Sequence, residues 1–89
     1  MTITTSRGKT FPAEWAWGPV GPQEQLMLQI RDERPLSEIA ADFEGCDRIH
    51  RQCDLEGDLD FEGYTALQSI TRLDYGASGS VVRITLERS

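Results

Sequence analysis

A single stretch of this chain carries a helical period, and it is too short to be stable by itself. In residues 34–45, Arg34-Pro35-Leu36-Ser37-Glu38-Ile39-Ala40-Ala41-Asp42-Phe43-Glu44-Gly45, the apolar residues Leu36, Ile39, Ala40 and Phe43 recur at i, i+3, i+4 and i+7 and share one face. Pro35 suits a helix start, where its missing N–H is not needed, and Ser37 offers an alternative N-cap. Gly45 can take the left-handed conformation that closes a helix. A helix over about 35–44 is therefore expected. Burying Leu36, Ile39 and Phe43 contributes roughly 1.5–3 kcal/mol each, whereas ordering the segment costs roughly 1.5 kcal/mol for every residue in it. Asp42 and Glu44 also place negative charge at the carbonyl end, which the helix dipole disfavours. The helix must dock on something larger.

What surrounds it alternates like strand. Residues 1–5 and 10–17 read as a hairpin around Ser6-Arg7-Gly8-Lys9, and the alternation puts Phe11, Ala13, Trp15 and Trp17 on one side of the second strand. Pro12 cannot donate to a ladder and points to an edge or a bulge. Gly18-Pro19-Val20-Gly21-Pro22 reads as an exposed loop. Residues 25–32 alternate with Leu26, Leu28 and Ile30 inward and Gln25, Met27, Gln29 and Arg31 opposite. Residues 48–54 form a polar strand and 55–58 a turn. Over 59–72, Phe61, Tyr64, Leu67 and Ile70 recur at three, which reads as one long strand with a bulge or change of face. Residues 74–79 are a loop, and 80–87 close the chain with Val82, Ile84 and Leu86 inward. The expected fold is α+β: one compact domain over residues 1–89, with an antiparallel sheet of five to six strands and the helix packed on one face.

The formal net charge of −6 argues against nucleic acid as a partner, because non-specific affinity for phosphate backbones comes from Lys and Arg. No apolar run approaches the ~20 residues of a membrane helix, so no membrane partner is expected. The amino terminus has no charged region followed by a hydrophobic one, which points to a cytoplasmic chain with Cys46 and Cys53 as free thiols.

Few residues carry candidate chemistry. Cys46, His50 and Cys53 are of zinc-ligand type, but on a strand Cys46 and His50 point one way and Cys53 the other, and structural zinc sites usually have two tight ligand pairs. They are weak metal candidates. Asp58, Asp60, Glu62 and Gly63 mimic the start of a calcium loop, yet Ser69 stands where a bidentate carboxylate is required. Trp15 and Trp17 share a strand face. In so small a domain such rings are expected in the core, the alternative being an exposed platform with Pro19 and the 18–22 loop as its rim. With one histidine and neither cysteine at an electropositive helix start, neither an enzyme nor a cofactor is expected.

Four stretches together, Thr5-Ser6-Arg7-Gly8-Lys9-Thr10-Phe11, Trp17-Gly18-Pro19, the segment 34–45 and Gly63-Tyr64-Thr65, resemble a family of small, mostly uncharacterised proteins encoded near phage, prophage and mobile-element genes of gut Firmicutes. The resemblance implies an accessory or structural role beside tail or baseplate components, with virion association if phage-derived, and it brings no active site with it. The function expected is a non-catalytic interaction or assembly module whose partner is another protein or a second copy. A small ligand- or peptide-binding module using Trp15, Trp17 and Pro19 is the first alternative, and a metal-stabilised domain through Cys46, His50 and Cys53 the second.

Overall fold

The computed structural model describes residues 1–20 and 24–88. Strands β1 (Thr2–Thr5) and β2 (Thr10–Val20) form the expected hairpin. They are followed by β3 (Gln25–Ile30), helix α1 (Leu36–Phe43), β4 (Arg48–Gln52), β5 (Leu59–Glu62), β6 (Ala66–Asp74), a 3-10 turn (Gly76–Ser78) and β7 (Ser80–Glu87). Every strand pairing is antiparallel, and the spatial order is β5-β4-β1-β2-β3-β7-β6. Among the described residues the protein is mostly antiparallel sheet with one α-helix, of the α+β class.

The sheet has seven strands rather than five or six, because residues 59–72 are not one strand. Gly63 takes φ +84° and donates its N–H to the Asp47 carbonyl at 2.9 Å, which turns the chain out of the ladder. Tyr64 then enters the core. The two products, β5 and β6, lie at opposite edges of the sheet. The spacing of three reflects that crossing rather than a change of face.

Strand β2 is shared between two groups of strands. Thr10 to Pro12 pair with β1, and from Ala13 onward the strand pairs with β3. At the changeover the Pro12 carbonyl accepts the Arg31 N–H at 2.9 Å, and a register shift between Ala13 and Trp15 makes Glu14 a bulge residue. One extra residue reverses the alternation. Phe11 and Ala16 are both buried, whereas Trp17 is 63% exposed and Trp15 half-buried. The tryptophans expected beside Phe11 therefore stand on the opposite face. The Gly-Pro segment is also not a loop where it is described: Gly18, Pro19 and Val20 belong to β2, and a second register shift between Trp17 and Val20 accommodates the proline's missing donor. Gly21 and Pro22 lie outside the described residues.

One apolar cluster joins both groups of strands. It contains Ile3, Phe11, Ile49 and Phe61 from one side, Ala16, Leu26, Leu28, Ile30, Val82, Ile84 and Leu86 from the other, with Tyr64 and the helical residues Ile39 and Phe43. Phe43 stacks on Phe11 with centroids 4.8 Å apart, and Leu36 is partly buried against the same cluster.

The helix ends without a basic residue in its last turn, yet its last four carbonyls all have donors. Glu44 N–H reaches Ala40, the Arg7 guanidinium reaches Ala41 at 2.6 Å, and the Cys46 thiol and N–H reach Asp42 and Phe43 respectively. Arg7 comes from the β1–β2 turn and supplies the cation that Asp42 and Glu44 deny to the dipole. At the other end, Arg34 bonds Asp32 and Asp42 and lies over the Phe11 ring, while Arg72 donates to the carbonyls of Asp32 and Arg34. These bonds hold the Asp32 carboxyl below the usual carboxylate range, chiefly through the Arg34 side chain.

Candidate functional site

The bulge at Glu14 creates an aromatic surface on the face of β2, β3, β7 and β6 that points away from the core. Register defines its rows: Trp15, Gln29, Arg83 and Thr71 lie side by side across the four strands, and Trp17, Met27, Thr85 and Ser69 form the next row. The two indole rings are 5.3 Å apart between centroids and tilted by 33°. Behind them the surface is built rather than incidental. Gln29 is only 7% exposed and its Oε1 accepts from Arg83 Nη2 at 2.9 Å. The Arg83 guanidinium carbon sits 5.6 Å from the Trp15 ring centre, a cation–π stack that fixes both groups. Arg83 Nε is buried with no hydrogen-bond partner in the protein. Glu14, the bulge residue, pairs with Arg31 at 2.7 Å along one side, and Gln25 bonds Glu87 at 3.0 Å on the other.

Trp17 stands out chemically. An indole offers a wide flat apolar face with an N–H donor at its edge, and this one has most of its surface in water, with Met27 opposite it in the register and the Trp15 ring beside it. Leu55, Leu59 and Tyr75 are exposed as well, but among the described residues none is paired with an aromatic ring. The arrangement suits stacking and edge hydrogen bonding to a ligand laid across the sheet.

Of the residues predicted for this site, Trp15 and Trp17 are brought together. Pro19 follows on the same strand, and its side chain lies outside what is described. Arg83 and Gln29 were not predicted. Alternation alone places Gln29 opposite Leu28 and Arg83 opposite Val82, but only the register of three strands brings them to Trp15.

The cysteine and histidine candidates do not converge. Cys46 is buried with its thiol on the Asp42 carbonyl, His50 bonds Asp60 through Nδ1 at 2.6 Å and faces Asp58 at 3.6 Å, and Cys53 lies beyond the end of β4. Both cysteines are free. Asp58 and Asp60 of the supposed calcium loop are thereby committed to the histidine. Among the described residues no group of three or more His, Cys, Asp or Glu is arranged to hold a metal ion, and no helix is long and apolar enough to cross a membrane.

Comparison with protein-family models, with curated proteins and with solved structures returned no match.

Proposed function

We propose that this chain is a non-catalytic interaction module that grips a partner protein through the outward face of Trp15 and Trp17. The observation that carries this reading is the 63% exposure of Trp17 next to a second indole that is itself held by Arg83. Aromatic residues and arginine are the side chains that most often dominate binding energy at protein interfaces, and they do so when pre-positioned. The described groups with displaced proton affinity, Asp32 and Arg34, fix the connection into α1, far in role from acid–base work. A displayed library of random peptides selected on the immobilised protein tests the reading. Selected peptides are expected to quench tryptophan emission and to lose about 30-fold or more in affinity on Trp17→Ala, the loss typical of an interface hot spot. Peptides that bind wild type and Trp17→Ala equally, or a selection that enriches nothing, would overturn it.

A further inference from the structure

A guanidinium is always charged and carries five N–H donors, so it is ordinarily matched by carboxylates or carbonyls. Most of the described arginines follow that rule. Arg31, Arg34, Arg51 and Arg88 are each ion-paired with a carboxylate, and Arg7 and Arg72 are spent on backbone carbonyls. Arg83 is matched by neither. Its Nη2 reaches the neutral Gln29 amide, its Nε has no acceptor, and among the described residues no carboxylate is ion-paired with it. The acids that border this face are turned elsewhere, Glu14 to Arg31 and Glu87 to Gln25. Arg83 nevertheless keeps part of its surface in water, next to the Trp15 ring.

That unmatched charge decides what chemistry suits the face. Two adjacent indoles without it would suit an ammonium ligand equally well, but a fixed guanidinium repels one. A nucleic acid would offer phosphate to Arg83 and bases to the rings, yet a chain of net charge −6 repels a polyanion along its length. A short segment with one carboxylate meets neither objection. Spacing narrows it further: the indole centroids are 5.3 Å apart, and the guanidinium carbon lies 5.6 Å beyond the Trp15 centre. Alternate residues of an extended peptide share one side and stand about 6.8 Å apart. A ring or aliphatic group laid on Trp17 therefore brings a carboxylate two residues away within reach of Arg83.

We infer that the partner of this face is an acidic peptide segment, with an apolar side chain on the indoles and an Asp or Glu side chain two residues away on Arg83. The inference rests on the peptide-binding reading above and names the partner's chemistry.

Three acetylated and amidated octapeptides test it, identical except that Phe is followed two residues later by Asp, Asn or Lys. Each is titrated against the full chain by quenching of tryptophan emission, at 50 and 500 mM salt. The Asp peptide is expected to bind about tenfold more tightly than the Asn peptide, the worth of one charge-assisted hydrogen-bonded pair, and the Lys peptide most weakly. The Asp advantage is expected to shrink at the higher salt, to vanish in Arg83→Gln and to survive in large part in Arg83→Lys. The comparison among peptides needs no variant, so it decides the matter even if Arg83→Gln does not fold. Equal binding of Asp and Asn peptides overturns the inference, as does an Asp advantage undiminished in Arg83→Gln, tighter binding of oligo-deoxythymidine than of the Asp peptide, or no binding by any of the three. Equal binding that is lost on Trp17→Ala overturns the acidic preference alone and leaves the function proposed above standing.

Discussion

Replacing Trp17 with alanine separates the observed placement of the ring from the one that simple alternation predicts. Full burial of an aromatic side chain removes about 150–250 Å² from water, and with 63% of Trp17 exposed only about a third of that is lost to solvent on truncation. At about 25 cal/mol per Å² the change is worth roughly 1–2 kcal/mol, an upper value because unfolded chains already bury some surface. A core ring costs more: Phe43→Ala, which empties a fully buried site stacked on Phe11, is expected to cost about 3–5 kcal/mol. Urea unfolding followed by far-ultraviolet circular dichroism reads both variants without depending on the fluorophore that one of them removes. A shift for Trp17→Ala as large as that for Phe43→Ala, or a variant that does not fold, would place the indole inside and refute the inversion at Glu14.

Two further outcomes follow from the packing. Gly18→Ala is expected to destabilise by about 1–3 kcal/mol, because a Cβ there lies 2.9 Å from Leu26 Cδ1 and 3.3 Å from its Cα; an unchanged urea midpoint would show that Leu26 yields freely. Because Asp32 has a lowered folded-state pKa, its stabilising contribution is fully present above the unfolded carboxylate pKa of about 3.9 and disappears as pH falls through the folded value. The melting-temperature gap between wild type and Asp32→Asn is expected to close as pH falls below the unfolded carboxylate pKa of about 3.9, and a gap that persists unchanged into the acid would contradict the pairing with Arg34.

Local pattern made the helix, the first hairpin, β3 and β7 legible, since in each the apolar residues keep one period from end to end and meet the same core. Ile39 and Phe43 are fully buried for the reason their spacing announced. What alternation cannot carry is a change of phase. Glu14 adds one residue to β2 without a glycine to announce it, and the proline that hinted at an irregularity stands two positions earlier. Gly63 was visible as a poor strand residue, but nothing local says that the chain leaves one edge of a sheet there and rejoins at the other. The candidate site was half readable for the same reason: Trp15 and Trp17 are neighbours on one strand, whereas Gln29 and Arg83 reach them through pairings separated by tens of residues.

Strand β2 is common property of both groups of strands, and this bears on how the molecule comes apart. Peeling β1 away bares Thr10 to Pro12, peeling β3 away bares the rest, and Phe11 is in contact with the helix throughout. Neither half keeps a complete set of neighbours once the other has gone, so melting is expected as a single calorimetric event rather than two partial ones.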